Sequence, residues 1–287
     1  MTDQNALEHD YSQLRRIALR VAGEAARIIV EERPDELALA TKSTATDVVT
    51  DMDQLAQDQI VAALRSLRPQ DGFVGEEEGE TRRGESGITW VVDPIDGTVN
   101  YLYRIPAYSV SIAAVVGDPL VEGAWTPVAG AVVNPVSAEA YSAALGEGAF
   151  RAHGEGGEVR LRTSGQSDLA QALVATGFGY AADRRAWQAA VLADLLPEIR
   201  DIRRMGSAAL DLCRVAEGSV DAYYERGLNP WDLAAGWLIV TEAGGRVTGT
   251  GTDGPGNDMV VASGNALHDS FVIRLERAIR TIDVTSA

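Results

Sequence analysis

The chain has 287 residues, 46% hydrophobic and 23% charged, an ordinary globular balance that rules out a collagen-like, coiled-coil or wholly disordered chain. Its formal net charge of −17 repels a phosphate backbone, and no basic patch offsets it, so neither nucleic-acid binding nor polybasic membrane docking is expected. A single cysteine, Cys213, excludes an internal disulfide and a multi-cysteine zinc site.

Met1–Asp10 is polar and acidic, so no signal peptide is expected. The longest apolar stretch, Val110–Val116, falls far short of the ~20 residues that span a bilayer, and a cytosolic location is the expectation. From Asn5 to Glu32, Leu7, Tyr11, Leu14, Ala18, Val21, Ala25 and Ile28 recur at helical spacing, and Arg33-Pro34 ends the element. A second helix is predicted over Asp51–Leu67, capped by Thr50 and stopped by Arg68-Pro69. The period then changes. Strands are predicted at Ile88–Asp93, ending in a proline turn, and at Ser109–Val116 and Gly130–Asn134. Ala138–Ala144 and Gly148–Ala152 read as a hairpin. The glycine-rich run His153–Glu158 reads as a seam between an N-terminal α+β part, 1–154, and a C-terminal α/β part, 155–287. Past it, strands at Ala172–Ala175, Arg200–Arg203, Val220–Tyr224 and Met259–Ala262 alternate with helices at Asp183–Leu196, Ser207–Glu217, Trp231–Ala243 and Asn265–Thr281.

Several motifs carry no chemistry. Gly249–Gly254 has the glycine spacing of a dinucleotide loop, but Pro255-Gly256 stands where a helix should open, so a surface loop is expected. No P-loop and no Gly-x-Ser-x-Gly elbow is present. His9, His153 and His268 fall in the first helix, the seam and the last helix, away from other ligand types. Solvated or helix-surface roles are expected for them.

What remains is carboxylates at element ends. In Trp90-Val-Val-Asp93-Pro94-Ile95-Asp96-Gly97-Thr98 an apolar strand runs out onto two aspartates that repel unless a cation sits between them. Gly97 permits close backbone approach, and Thr98 opens a helical turn whose N–H groups suit a phosphate oxygen. Hard oxygen ligands without sulfur or imidazole suit magnesium. Glu76 follows the apolar pair Phe73-Val74, Glu225 ends a strand, and Asp232 opens a helix, where the dipole alone favours it. Asp47 and Asp53 flank the start of the second helix, and capping explains at least one of them. Lys42 is the only lysine among 25 basic residues; composition alone leaves open an arginine-preferring genome or a position that needs an ammonium.

These residues resemble the magnesium-dependent, lithium-sensitive inositol monophosphatase family. Asp93-Pro-Ile-Asp-Gly-Thr98 is the most specific match. Lys42–Asp53, Phe73–Glu77, Arg204–Ala209, Ala222–Glu225 and Trp231–Gly236 follow in family order. The resemblance implies a layered α-β-α-β-α sandwich of the inositol monophosphatase/fructose-1,6-bisphosphatase type, usually a homodimer. It implies two or three Mg²⁺ ions: Glu76, Asp93 and the Ile95 carbonyl for the first, and Asp93, Asp96 and Asp232 for the second, with Li⁺ as an inhibitor. It implies that Glu76, Thr98 and Asp53 activate water, and that Gly97 and Thr98 grip the phosphate. Asp96, Ala208 and Glu225 would face the alcohol, with Lys42 and Asp47 in support. The implied reaction is hydrolysis of a phosphate monoester, with myo-inositol 1-phosphate first. Histidinol-phosphate phosphatase is the alternative of the same fold, and a partner-binding regulator with secondary phosphatase activity the alternative of another class. Glu78, Asn229-Pro230 and Thr176–Tyr180 depart from the animal enzymes and leave the alcohol open.

Overall fold

The computed structural model describes residues 9–35, 37, 39–41, 48–77, 81–154, 156–251 and 253–286. Helix α1 spans Tyr11–Glu31, followed by the short antiparallel pair β1 (Leu39–Thr41) and β2 (Val48–Thr50) and by α2 (Asp51–Leu67). Strands β3 (Gly72–Gly75) and β4 (Ile88–Asp96), the short helix α3 (Thr98–Leu102), and strands β5 (Ser109–Gly117), β6 (Trp125–Asn134), β7 (Glu139–Ala144), β8 (Gly148–His153) and β9 (Val159–Arg160) complete the first half. The second half comprises β10 (Leu173–Thr176), α4 (Ala182–Leu195), β11 (Asp201–Arg203), α5 (Ala208–Ala216), β12 (Ala222–Glu225), α6 (Pro230–Glu242), β13 (Gly245–Thr248), β14 (Val260–Gly264) and α7 (Asn265–Ser286).

β3 to β9 form a seven-stranded sheet in chain order, and a five-stranded sheet runs β11-β10-β12-β14-β13. The chain changes sheet between Arg160 and Leu173, past the seam expected at His153–Glu158. α1 and α2 cover one face of the larger sheet, and α5 and α6 lie between the two sheets. α4 and α7 cover the outer face of the smaller one. This is the expected α-β-α-β-α layering. Strand alternation feeds it. Along β4, Ile88, Trp90 and Val92 join the core under α1 and α2, while Val91 joins the core between the sheets. Both faces are buried, so β4 reads as a continuous apolar run.

The structure corrects four expectations. α1 starts at Tyr11, not Asn5, because Asp10 caps it by accepting from the Gln13 N–H at 2.9 Å. His9 therefore precedes the helix, its Nε2 3.0 Å from the Ser86 carbonyl. His268 is not a surface residue: it is 1% exposed, bonded to Ser263 and Thr248. β4 does not end at Asp93 but runs on through Pro94 to Asp96. The glycine-spaced run after β13 is a loop, as expected, with no helix behind it. No helix among the described residues is long and apolar enough to cross a membrane.

Candidate active site

The site forms where β4 meets the N-termini of α3, α5 and α6. In β4, Asp93 pairs with Ser111 and Asp96 with Ser109, so three steps on one strand oppose two on the other. That extra residue is a bulge. Strict alternation would send residues three apart to opposite faces; the bulge resets it. Asp93 and Asp96 thereby come to one place, where they meet Asp232 from the first turn of α6. Oxygens of the three carboxylates lie within 4.8 Å of one another.

Each carboxylate is held. Asp93 Oδ1 accepts from the Ile95 N–H at 3.0 Å. Asp96 accepts from the Ser207 hydroxyl, from the Ala209 N–H at 2.8 Å and from the Ala208 N–H at 3.2 Å, all at the start of α5. Asp232 Oδ2 accepts from the Asn229 N–H at 2.7 Å. Helix starts supply the backbone donors to Asp96 and Asp232, because their first N–H groups have no partner within the helix. Gly97 joins β4 to α3 at φ +96°, and a Cβ there would come within 3.0 Å of the Ala107 and Gly206 carbonyls, so only glycine fits.

Crowding acids away from water raises their pKa values. Burial, then the charges of Glu76, Asp96 and Asp232, pushes Asp93 well above the usual carboxylate range. Asp232 is raised by burial and by Glu76 and Asp96. Asp96 rises only to about 6, because burial is opposed by its bonds to Ser207, Ala209 and Ala208. No thiol or imidazole belongs to the group. All-oxygen donors whose negative charge is unfavourable without a cation fit a hard divalent ion, and these three could hold a metal ion.

The other expected residues fall around this centre. Glu76 follows β3 directly, and its N–H donates to the Val92 carbonyl at 3.1 Å, fixing it beside β4. The Thr98 hydroxyl lies 3.0 Å from the Ile95 carbonyl and 3.3 Å from Asp53 Oδ1. Asp53 is fully buried, and its Oδ2 accepts from the Thr50 N–H at 2.8 Å and the Thr50 hydroxyl at 2.6 Å. Burial takes its pKa up to about 7 against those bonds. Glu225 ends β12 and accepts from the Tyr223 hydroxyl at 2.5 Å; burial pushes it to about 7. The Ala208 N–H is already donated to Asp96. A cavity of about 340 Å³ takes in Glu76, Asp93, Asp96, Thr98, Glu225 and Asp232, with 177–181 on its rim. Lys42, Asp47 and Glu78 lie outside the described residues.

Three residues went unnoticed in the sequence. Gln57 of α2, 2% exposed, donates from Nε2 to the Glu77 carbonyl and accepts from the Glu77 N–H, both at 3.0 Å. It grips the turn that carries Glu76 as a neighbouring strand would. Ser207 both caps α5 and donates to Asp96. Asp211 of α5 lines the cavity at 1% exposure, with Oδ1 lacking a hydrogen bond, and burial raises it well above the usual range. A glutamine or aspartate inside a helix has no local signature; only the tertiary fold marks these.

Comparisons with known proteins agree with the geometry. The profile described as the inositol monophosphatase family matches residues 10–280. An inositol-1-monophosphatase of Mycobacterium leprae is 44% identical, the match covering 94% of this chain and 96% of that protein. A protein named Nus factor SuhB of Escherichia coli is 40% identical over 81% of this chain and 83% of its own. The solved structure of Mycobacterium tuberculosis SuhB superposes with a TM-score of 0.79 at 41% identity, covering 94% of this chain and 98% of that one. Nearly the whole chain is matched, acidic centre included, and it belongs to the inositol monophosphatase family, whose members are phosphoric monoester hydrolases.

Proposed function

We propose that the chain hydrolyses myo-inositol 1-phosphate to myo-inositol and phosphate with Mg²⁺. The observation that carries this reading is the convergence of Asp93, Asp96 and Asp232 within 4.8 Å in one cavity. Glu76, Asp93, the Ile95 carbonyl, Asp96 and Asp232 would hold the ions. When bound, Mg²⁺ offsets phosphate charge, makes water a better nucleophile and stabilises the leaving alkoxide. Phosphate monoesters hydrolyse so slowly unaided that stabilisation of this size is required.

The chain's own groups do the rest. Glu76 and the Thr98 hydroxyl would orient the attacking water. Its proton would pass through Thr98 to Asp53, whose pKa of about 7 suits a base at neutral pH. The N–H groups of Gly97 and Thr98 would bind phosphate oxygens. Asp96 and Glu225 would accept hydrogen bonds from the alcohol's hydroxyls, with Lys42 and Asp47 in support. Li⁺ is expected to inhibit by entering the site that Asp232 helps to form.

The test is phosphate release from inositol 1-phosphate and histidinol phosphate with Mg²⁺. A lead in kcat/KM for the inositol ester supports the reading. A lead for histidinol phosphate keeps the site and replaces the alcohol. The Nus factor name of the Escherichia coli relative favours a second reading, in which this chain binds a macromolecular partner. Asp93→Asn separates the two: hydrolysis is expected to vanish while partner binding survives.

A further inference from the structure

Asp211 is a buried carboxylate to which no part of the reaction has been assigned. It lies in the first turn of α5, three residues after Ala208 and four after Ser207. That spacing puts the three on one side of the helix, and all three line the cavity. Asp211 is 1% exposed, and its Oδ1 has no hydrogen bond among the described residues. No ion pair closes it there either: Arg214, one turn further along α5, is held by Glu139 and Glu217 at 2.8 and 2.7 Å. Helix capping does not account for the side chain, because the Ser207 hydroxyl already accepts from the Leu210 N–H at 3.3 Å. A buried acceptor left unmet is unfavourable, and a ligand that brings a donor to it removes that penalty.

The surroundings indicate which donor. Burial first, then the charges of Glu225 and Asp96, raise the pKa of Asp211, and Arg204 and Arg214 act against them. Asp211 thus lies near the two carboxylates to which the alcohol is assigned above. The Tyr223 hydroxyl is not the missing donor, because it is given to Glu225 at 2.5 Å. Arg204 and Arg184 act on Glu225, and Arg204 acts on Asp211. Two guanidinium groups therefore stand against two carboxylates, and this end of the cavity is balanced in charge. A balanced end gives no net attraction to an ammonium group or to a second anion. It suits a neutral hydroxyl, which can donate to a carboxylate oxygen without adding charge.

We propose that Asp211 is a second specificity-determining carboxylate beside Glu225, its Oδ1 accepting from a hydroxyl of the alcohol. The preferred ester then carries at least two further hydroxyls, one for each acid. Asp211 in this role rests on the hydrolase reading above and narrows its substrate class to polyol phosphates. The test compares inositol 1-phosphate with 4-nitrophenyl phosphate, which offers no hydroxyl, at saturating Mg²⁺. In Asp211→Ala, KM for inositol 1-phosphate is expected to rise about tenfold with kcat changed far less. The ratio of kcat/KM between the two esters is expected to fall by the same factor. Asp211→Asn keeps the shape and one acceptor oxygen but loses the charge. Its ratio is expected to fall only about threefold, since a neutral hydrogen bond is weaker than a charge-assisted one. Because Tyr223 holds Glu225 independently, Asp211→Ala/Glu225→Gln is expected to multiply the two KM effects, as separate contacts do. A ratio unchanged in Asp211→Ala, with both esters spared or both declining together, overturns the specificity role and leaves a structural one. Should that variant not fold, an unchanged ratio in Asp211→Asn overturns it equally. A matching rise of KM for histidinol phosphate overturns the hydroxyl in favour of an ammonium. No phosphate release from either ester by the unmodified chain overturns the hydrolase reading itself.

Discussion

The Thr98 hydroxyl lies 3.3 Å from Asp53 Oδ1 and so joins the first residue of α3 to the carboxylate that caps α2. The same carboxylate spends its other oxygen on Thr50. In Asp53→Asn the amide would keep its oxygen toward the two Thr50 donors and turn its NH₂ toward Thr98. The hydroxyl could then no longer pass a proton on. kcat is expected to fall about a hundredfold, within the range for loss of a general base, with KM little changed. Steady-state kinetics decide it: a fall below threefold would remove Asp53 from the relay. The cost in stability is expected to be about 1 kcal/mol, that of a weakened helix cap.

The acidic centre makes stability depend on Mg²⁺ and pH together. Asp96 stands at about 6, Asp53 and Glu225 at about 7, and burial with neighbouring acids raises Asp93 and Asp232 well above the usual carboxylate range. All are raised above their unfolded values near 4. Such groups hold their protons more tightly when folded. Their contribution is full below pH 4 and is lost as pH rises through the folded pKa values. In chelator, the melting temperature should therefore drop between pH 5.5 and 8. Mg²⁺ binds only the folded, ionised carboxylates, so the rise it causes should be larger at pH 8 than at pH 5.5. Thermal melts at both pH values with and without Mg²⁺ test this, and a Mg²⁺ effect that is absent or independent of pH would contradict the crowding argument.

His268 titrates in the opposite sense. Thr248 donates its proton to the Gly249 carbonyl at 2.9 Å, so its oxygen accepts from His268 Nε2–H at 3.0 Å. Ser263 then donates to Nδ1 at 2.8 Å. The neutral ring is satisfied, and burial, with the charge of Arg246, lowers its pKa to about 4. A depressed value means the unfolded chain takes up the proton first. The contribution is full above pH 6.5 and is lost as pH falls toward 4, roughly 3 kcal/mol in all. His268→Gln should melt lower than the parent at pH 7.5 and show a flatter pH dependence between 6.5 and 4. Parallel profiles for the two proteins would show that His268 does not titrate there.

The contrast between Asp93 and His268 shows what a sequence carries. Asp93-Pro-Ile-Asp-Gly-Thr98 marked itself, because paired carboxylates at the end of an apolar strand need a cation. Helix α2 was legible from its stripe, from Thr50 and from Arg68-Pro69, since caps and stops act locally. The β4 bulge was not, because it exists only in the register against Ser109 and Ser111. Gln57 and Asp211 lie at helix positions that say nothing until β3 and β12 pack beside them. His268 looked solvated because its partners lie in β13 and β14. The start of α1 is not legible from periodicity, because the apolar spacing runs past the real cap, Asp10.

Gly177 offers a test of Glu225 that leaves every ionisable group in place. A Cβ at position 177 would stand 1.8 Å from Glu225 Oε2 and 2.2 Å from its Cδ, inside any tolerable contact. Gly177 has no positive φ, so alanine suits the backbone and only the carboxylate must move. Glu225 would turn away from the Tyr223 hydroxyl, which now donates to it at 2.5 Å. If Glu225 receives the alcohol, Gly177→Ala should raise KM about tenfold or more, as loss of a charged hydrogen bond does, with kcat changed far less. Glu225→Gln should show the same split, and the double variant should be little worse than either single one, because both remove one interaction. A kcat loss with unchanged KM would instead put Glu225 with the groups that meet only the transition state.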